Sequence, residues 1–281
     1  MRSPLPLIDI GVNLGHDSFD HDRGEVMAAA RHAGVAQMVV TGTNVDASIK
    51  ASELAGAHPG ILFSTAGVHP HDAASFGIDT SAQLHRILQQ PQVVAVGETG
   101  LDFFRDFSPR PLQEQAFAEQ LQLATLTRLP VFLHQRDAHE RFMGVLREQR
   151  DKLVRGVVHC FTGTRAELHA YLDLDMYIGI TGWICDERRG LDLQQLVRDI
   201  PPDRLMLETD APYLMPRNIA RSAPEASANG SADRSRPKQS SRRNEPAHLV
   251  WVLEMVAQCT GRDADAIASE TTRNARDFFA I

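Results

Sequence analysis

The sequence contains few of the features that mark membrane, secreted or zinc-finger proteins. None of its apolar runs approaches the roughly 18 residues that a membrane-spanning helix requires. The first residues include Pro4, Pro6 and Asp9 and lack a basic head followed by a long apolar stretch, so we expect no secretory signal. Only three cysteines occur, at positions 160, 185 and 259, and their wide spacing is typical of reduced thiols in a cytoplasmic protein.

Positive charge is also scarce, because 29 Lys and Arg residues face 36 Asp and Glu residues and leave a net charge of −7. Indiscriminate binding to duplex DNA usually needs a basic face, so this balance argues against that function. The charge balance remains compatible with a small basic cleft, or with an enzyme that binds DNA through a bound cation. Hydrophobic residues at 43% and charged residues at 23% are ordinary globular values and exclude a disordered or fibrous chain.

Short β-rich runs alternate with helix-like stretches along the chain. Most of these runs are apolar throughout, which indicates burial on both faces and therefore a parallel sheet. Eight such strands predict an α/β fold of the closed (β/α)₈ TIM-barrel type, in one domain covering residues 1–281. An open doubly wound sheet is the alternative, but no Gly-x-Gly-x-x-Gly follows a strand. The predicted strands are 5–10, 36–41, 61–66, 92–96, 129–133, 156–158, 176–180 and 204–207.

Three helix starts carry capping signals. Asn44 is placed to cap the second helix, and Ser108 before Pro109 is typical of the start of a long one. Asp137 followed by Glu140 resembles a capping box. The predicted helices are 22–33, 44–57, 80–90, 109–128, 137–149, 164–173, 187–198, 246–260 and 263–278.

One segment, 218–244, interrupts the alternation because it is rich in Ser, Ala, Arg, Pro and Gly and shows no apolar periodicity. From Arg217 to Asn244 there are seven basic residues against two acidic ones. We predict a flexible basic loop after the eighth strand, either a solvated spacer or a flap over an anionic substrate.

Polar residues stand where six of the eight predicted strands end. In a barrel of this type the carboxyl ends of the strands converge on one mouth, where the chemistry takes place. Carboxylates gathered in a dry pocket are costly unless a cation neutralises them, so we predict a metal site. These residues are Asp9 and Asn13 after strand one, His69 and His71 after strand three, Glu98 and Asp102 after strand four, His134 after strand five, His159 after strand six, and Glu208 and Asp210 after strand eight.

The predicted cluster offers imidazole and carboxylate but no thiolate. This donor set suits zinc, manganese or iron, and magnesium where oxygens dominate. We expect Mg²⁺ to support activity, with Mn²⁺ or Zn²⁺ as alternatives. Cys160 follows His159 directly, and because neighbours in a strand point to opposite faces we expect it to face the outer helices.

These residues lie in long motifs that resemble those of the TatD-related deoxyribonucleases of the amidohydrolase superfamily, over nearly the whole chain. The resemblance implies a metal-dependent nuclease that removes nucleotides from the 3′ ends of single-stranded DNA and takes part in the repair of oxidative damage. The motifs cover residues 8–14, 65–72, 97–103, 159–163, 179–183, 208–213 and 240–248.

The same resemblance implies roles for single residues. Glu98, His134 and His159 match metal ligands, and Asp210 matches the aspartate that binds the metal and handles the water proton. His69 and His71 match a His-Pro-His region that lines the mouth. Most relatives carry a His-x-His pair on strand one, whereas this chain has Gly11-Val12-Asn13, so the second metal position is poorer in ligands.

Residues that flank the predicted mouth are candidates for binding DNA. Arginines can stabilise charge on a phosphate, and aromatic rings can stack on unpaired bases, worth about 1–3 kcal/mol per base. Our preferred substrate-binding residues are His69, His71, Arg136, Trp183, Arg242 and Arg243, with Arg105, Arg188, Arg189, Phe103, Phe104 and Phe107 as further candidates. We expect a monomer acting mainly on single-stranded 3′ ends, with RNA as a possible substrate.

Three other functions share parts of this pattern. A water activated by a metal also hydrolyses esters or amides, so an aminoacyl-tRNA deacylase would have a similar site. Loss of the His-x-His pair is compatible with a binding protein without catalysis, although the remaining cluster argues against it. A glycosidase using Glu98 and Glu208 would leave the three nearby histidines unexplained.

Overall fold

Eight parallel strands, each paired with its neighbour in chain order, form the sheet in a computed structural model that describes residues 1–219 and 243–281. The predicted (β/α)₈ barrel is confirmed. The strands are β1 Leu7–Val12, β2 Val35–Val40, β3 Leu62–Ala66, β4 Val93–Asp102, β5 Val131–Arg136, β6 Gly156–Val158, β7 Tyr177–Ile180 and β8 Leu205–Leu207.

Helices alternate with the strands as predicted, within a few residues at each end. No helix in the described part of the chain is long and apolar enough to cross a membrane. The helices are α1 Arg23–Ala33, α2 Val45–Ala57, α3 Thr80–Leu88, α4 Arg110–Thr127, α5 His139–Gln149, α6 Arg165–Asp173, α7 Leu191–Leu196, α8 Leu249–Thr260 and α9 Ala264–Phe279.

The barrel closes between its first and last strands, just beyond the end of β8. Asp210 donates its backbone N–H to the carbonyl of Gly11 (2.8 Å), and Asn13 donates to the carbonyl of Ala211 (2.8 Å). At the other end of the same seam, Asn274 of α9 donates to the carbonyls of Pro202 (2.7 Å) and Leu205 (2.9 Å). Backbone hydrogen bonds therefore fix strand one against the segment that carries the acidic residues 208 and 210.

A cluster of apolar side chains from the strands supports the mouth from below. It includes Ile10, Phe132 and Met206, and Phe278 and Phe279 of α9 pack into it. The Phe132 ring stacks on the His159 ring with centroids 4.6 Å apart. The polar residues at the mouth thus rest on a packed apolar floor, which restricts their rotamers.

The helix starts confirm one capping prediction and correct two. Asn44 caps α2, since its side chain accepts the N–H of Ala47 at 2.9 Å. Ser108 does not cap α4; its hydroxyl donates to the carbonyl of His71 and accepts the N–H of Ala74. Asp137 forms no capping box either, because it adopts a left-handed backbone (φ 54°) and α5 begins after Ala138 without a side-chain cap.

Most of the predicted basic loop 218–244 lies outside the described residues, and so does Arg242. Only Asn218 and Ile219 at one end, and Arg243 and Asn244 at the other, belong to the described structure.

Candidate active site

Glu98 reaches the mouth through an irregularity in strand β4. The register between β4 and β5 shifts between Val96 and Thr99, which marks a bulge at Glu98. A bulge bends a strand and re-aims its side chain. Gly97 and Gly100 allow it, because both have left-handed φ angles and any Cβ there would lie within 2.2 Å of a β5 carbonyl oxygen.

Three imidazoles converge on this carboxylate. Glu98 Oε1 lies 2.6 Å from His159 Nε2, 2.8 Å from His134 Nδ1 and 3.3 Å from His69 Nε2. The nitrogens of His134 and His159 are themselves only 3.4 Å apart. Strands β3 to β6 therefore bring together the histidines and the glutamate that the sequence singled out.

Burial and charge oppose each other in this cluster. Burial alone would raise the pKa of Glu98, but His159, His69 and His134 outweigh it and hold that pKa well below its ordinary value. Burial would lower the pKa of His159, yet Glu98 and Glu208 raise it well above its ordinary value. Burial dominates at His69 and lowers its pKa to about 4. The cluster thus keeps Glu98 ionised and His69 neutral.

The donor set fits a divalent cation. His69, Glu98 and His134 each offer a ligand atom, and these atoms all lie within 4.8 Å of one another. His134 Nε2 is buried and makes no hydrogen bond within the described residues, although Asp102 Oδ2 lies 3.4 Å away. Imidazole nitrogens and carboxylate oxygens are the ligand atoms that divalent cations such as zinc bind, and several of them face one another here.

The opposite side of the mouth is built from strand one and the residues after β8. Asp9 accepts the backbone N–H of Thr209 (2.9 Å), and its other oxygen contacts the Thr209 hydroxyl. Asn13 donates its side-chain N–H to Asp210 Oδ1 at 3.0 Å. Each polar residue of strand one therefore holds a residue of the 208–210 segment.

Gly11 makes room for the side chain of Glu208. A Cβ at position 11 would lie 2.4 Å from Glu208 Oε2, and the other oxygen, Oε1, accepts the backbone N–H of Cys160. Glu208 Oε2 also lies 3.4 Å from His159 Nδ1. The missing His-x-His pair on strand one is thus accompanied by a buried carboxylate from strand eight that fills the space beside Gly11.

Of the two aspartates on this side, Asp9 is fully buried and Asp210 is partly buried. Burial raises the pKa of Asp210 to about 7, and His159 lowers it while Glu98 and Glu208 raise it. Burial also raises the pKa of Asp9 to about 8, against the hydrogen bonds from Thr209. Asp210 has a left-handed backbone (φ 54°), which aspartate tolerates better than most residues.

Asp102 is a site residue that the strand-end pattern placed at the mouth without giving it a role. Its Oδ2 lies 2.8 Å from His71 Nε2, and its Oδ1 accepts the backbone N–H groups of Phe104 and Arg105. Asp102 therefore fixes His71 and starts the loop that carries the exposed rings of Phe104 and Phe107. The sequence feature that could have revealed this role is the position of Asp102, four residues after Glu98 on the same strand.

Two aromatic–arginine pairs stand on the rim. The Arg136 guanidinium lies 4.0 Å from the centroid of the Phe104 ring, and Arg189 lies 4.4 Å from that of Trp183. Arg189 is also paired with Asp186 at 2.9 Å. Arg136 and Trp183 both line one cavity beside the cluster.

The predicted substrate-binding residue Arg243 is paired with two carboxylates, one of them in the loop that follows β1. Its guanidinium pairs with Asp22 (2.6 Å) and Glu245 (2.9 Å), donates to the carbonyl of Ser18, and lies over the Phe19 ring. These contacts explain a pKa raised above its ordinary value, first through Asp22. Arg243 thus anchors the chain next to α1, because its charge is already compensated.

Cys160 does not face the outer helices as expected. Strand β6 ends at Val158, and Cys160 has a left-handed backbone (φ 46°), so strand alternation does not apply to it. Its Sγ lies 3.7 Å from the Thr181 hydroxyl. Burial, together with the charges of Asp210 and Glu208, raises the pKa of this thiol well above its ordinary value.

Comparison with known proteins places the chain in a family. A model of the TatD related DNase family matches residues 8–280. A protein of Erwinia tasmaniensis named 3′-5′ ssDNA/RNA exonuclease TatD is 49% identical over 275 residues, which cover 98% of this chain and 100% of that protein. A protein of the same name from Klebsiella pneumoniae is 46% identical and covers 98% of both chains.

Solved structures agree with this placement. The crystal structure of the TatD homologue YJJV from Escherichia coli K12 has a TM-score of 0.84 at 27% identity, and covers 98% of each chain. A TatD family hydrolase from Entamoeba histolytica has a TM-score of 0.85 at 25% identity, with the same coverage. The chain belongs to the TatD related DNase family.

Proposed function

We propose that this protein is a metal-dependent 3′-to-5′ exonuclease that acts on single-stranded DNA and RNA. The observation that carries the proposal is the convergence of His69, His134 and His159 on Glu98 at the mouth of the barrel. The relatives that match almost the whole chain at 46–49% identity are named as 3′-5′ ssDNA/RNA exonucleases. They support the choice of a phosphodiester over an ester, amide or glycosidic bond.

We assign the metal ligands to Glu98, His134, His159 and Asp210, on the resemblance to the family. Of these, Glu98 and His134 have ligand atoms within 4.8 Å of each other and of His69. Mg²⁺ is the cation we propose for activity, and Mn²⁺ and Zn²⁺ are the alternatives to test. A divalent cation held there would supply Lewis-acid polarisation of the scissile phosphate and lower the pKa of a water.

Asp210 is the residue we propose as the base that accepts the proton of the attacking water. Asp210 is partly buried, and the Asn13 amide fixes one of its carboxylate oxygens while its backbone N–H donates to the carbonyl of Gly11. His69 and His71 stand on the strand-three side with ring centroids 4.2 Å apart, and Asp102 orients His71. We propose that these two rings line the site of the phosphate, although both nitrogens of His69 already face other groups.

A preference for single strands follows from the exposed rings around the mouth. Phe104, Phe107 and Tyr213 are all exposed large side chains in loops that follow β4 and β8. Such rings bind bases by stacking, which requires an unpaired base and works for any sequence. We also propose that the protein acts as a monomer in the cytoplasm, where its three free cysteines would stay reduced.

The test is digestion of a single-stranded DNA oligonucleotide and its RNA counterpart by the wild type, Glu98→Ala and His159→Ala, with Mg²⁺ or with chelator. A label at the 5′ end reports shortening from the 3′ end. We expect both variants and the chelated enzyme to lose digestion while their circular dichroism spectra stay unchanged. Glu148→Ala and His169→Ala, at exposed positions on α5 and α6, are the matched controls and should digest normally.

Undiminished digestion by Glu98→Ala would remove the proposed site. Hydrolysis of aminoacyl or other acyl substrates by a wild type that leaves oligonucleotides intact would replace the exonuclease with an acyl hydrolase.

A further inference from the structure

A polar cavity of about 590 Å³ opens among the loops that follow β5, β6 and β7. Its volume is within the ~300–1,000 Å³ that is usual for ligand sites. We propose that this cavity binds the nucleotide on the 5′ side of the scissile phosphate. The proposal rests on the exonuclease function proposed above and assigns to it a second nucleotide position.

Two flat surfaces face the cavity. Arg136 lies against the Phe104 ring on the β5 side, and Trp183 lies against Arg189 on the β7 side. The Trp183 indole N–H donates to the carbonyl of Arg189 at 3.2 Å, which fixes the orientation of that ring. Aromatic rings and guanidinium planes are the surfaces on which unpaired bases stack.

The arginines of this cavity differ in their charge partners. Arg189 pairs with Asp186, and Arg165 pairs with Asp199. Within residues 1–219 and 243–281, the Arg136 guanidinium has no carboxylate partner within 4.0 Å. Arg136 is therefore the arginine whose charge is available for a phosphate.

Three acidic residues line the cavity, Asp137, Glu167 and Asp192, and within the described residues none of them forms an ion pair with Arg136 within 4.0 Å. Glu167 accepts the backbone N–H of Thr164 and belongs to the capping box of α6, so its charge is used at a helix N-terminus. Asp192 lies in the first turn of α7. Both stabilise helix ends, where negative charge is favourable.

Strands β5 and β6 carry residues of the cavity next to residues of the histidine cluster. Arg136 is two residues beyond His134 on β5, and Val158, which lines the cavity, directly precedes His159. Two residues of a strand span roughly 7 Å, a step comparable with the separation of successive phosphates in a nucleic-acid strand. A phosphate at Arg136 is thus the neighbour of a phosphate at Glu98 and His134.

The exposed side chains at the edge of the cavity indicate which nucleotide it binds, the one on the 5′ side or the one on the 3′ side of the scissile phosphate. The Phe104 side chain is 54% exposed and that of Arg189 is 58% exposed, so a chain lying between them can continue into solvent. The nucleotide at the 3′ end has no continuation and needs no open side. The cavity therefore suits the nucleotide on the 5′ side, from which the rest of the strand extends.

The experiment compares two substrates that share a phosphodiester. A single-stranded oligonucleotide fills the cavity, whereas thymidine 5′-(4-nitrophenyl phosphate) has no nucleotide on the 5′ side. The readout is the ratio of kcat/KM for the oligonucleotide to kcat/KM for the nitrophenyl ester. We expect Arg136→Ala and Phe104→Ala each to lower this ratio by about tenfold or more, because a phosphate contact or a stacked base is lost.

Two conservative substitutions in the cavity and one substitution far from it distinguish loss of nucleotide binding from general damage to the protein. Phe104→Tyr keeps a stacking ring and should keep most of the ratio, and Arg136→Lys should lie between the wild type and Arg136→Ala because it keeps the charge without the planar guanidinium. Arg155→Ala removes an arginine at the amino end of β6, where it donates to the carbonyl of Asp277, and should leave the ratio unchanged.

Failure of this proposal and failure of the proposed function give different results. An unchanged ratio in both Arg136→Ala and Phe104→Ala, with an active wild type, would overturn the cavity assignment alone. Equal losses on both substrates would also overturn it, since they indicate damage at the cluster. A wild type that hydrolyses neither substrate with Mg²⁺, Mn²⁺ or Zn²⁺ would overturn both proposals.

Discussion

The two sides of the barrel mouth hold their polar groups by different means. On the imidazole side, His69, His134 and His159 approach the single oxygen Oε1 of Glu98. On the carboxylate side, Asp9, Glu208 and Asp210 lie against strand one, held by backbone and side-chain hydrogen bonds. The first arrangement leaves ligand atoms facing one another, whereas the second satisfies most of its oxygens with N–H groups.

This difference indicates a division of work. Ligand atoms that face one another suit a cation, and a partly buried aspartate whose orientation is fixed suits transfer of a proton, in addition to the ligand role proposed for it. Glu208 connects the sides, since its Oε2 lies 3.4 Å from His159 Nδ1. The predictions below test whether the two sides act separately.

Asp210→Asn should have the largest effect. The asparagine oxygen can still accept from Asn13, but the side chain cannot take a proton, so kcat on single-stranded DNA should fall by about 10²–10⁴-fold. Metal affinity, measured by isothermal titration calorimetry, should fall much less than in Glu98→Gln. Equal loss of metal affinity in the two variants would show that the sides are not distinct.

Gly11→Ala should disturb the carboxylate side directly. The new Cβ would lie 2.4 Å from Glu208 Oε2, and we expect this overpacking to lower the free energy of unfolding by about 1–3 kcal/mol. Gly144→Ala is the matched control, because nothing lies within 4 Å of its Cβ on the exposed face of α5. It should raise the free energy of unfolding by about 0.5–1 kcal/mol, as a helical alanine does. Urea denaturation of both variants measures the contrast.

Asp9→Asn should change the pH dependence of stability. Burial raises the pKa of Asp9 to about 8 from its ordinary 3.8, so between these values the folded chain keeps a proton that the unfolded chain has lost. Stability from this group is therefore fully present below pH 3.8 and is lost as the pH rises toward 8, by at most about 1.4 kcal/mol per pH unit.

An asparagine at position 9 cannot ionise and can donate to the Thr209 hydroxyl. The free energy of unfolding of Asp9→Asn should therefore decline less between pH 5 and pH 8 than that of the wild type. Asp265→Asn, at an exposed position on α9, serves as the control and should follow the wild type. Parallel curves for Asp9→Asn and the wild type would show that Asp9 is ionised in the folded protein.

A second comparison shows how far residue type alone predicts a role. Arg136 and Arg243 were both candidates for binding substrate, and both guanidinium groups lie over a phenylalanine ring. Arg243 has two carboxylate partners, Asp22 and Glu245, and Asp22 is 221 residues away in the chain. Glu245 is two residues from Arg243 in the sequence, but the pairing with Asp22 is set only by the fold.

Local sequence patterns were enough to predict the strands, the helices and the strand ends at which the candidate site residues lie. Apolar runs of four to eight residues and the 3.6-residue period are properties of short segments, and the rule that parallel strands end at one mouth converts them into a cluster. The resemblance to a family then named Glu98, His134 and His159 together. Helix starts were less predictable, because Ser108 and Asp137 form other contacts in the folded chain.

The order of the elements and the identity of the groups at the strand ends were thus determined by the sequence itself, since both depend on neighbours along the chain. Tertiary structure alone decided that Glu208 fills the space beside Gly11, that Asp9 holds Thr209, and that the charge of Arg243 is paired with Asp22. Each of these depends on distances between residues remote in sequence, and such distances are set only when the barrel closes.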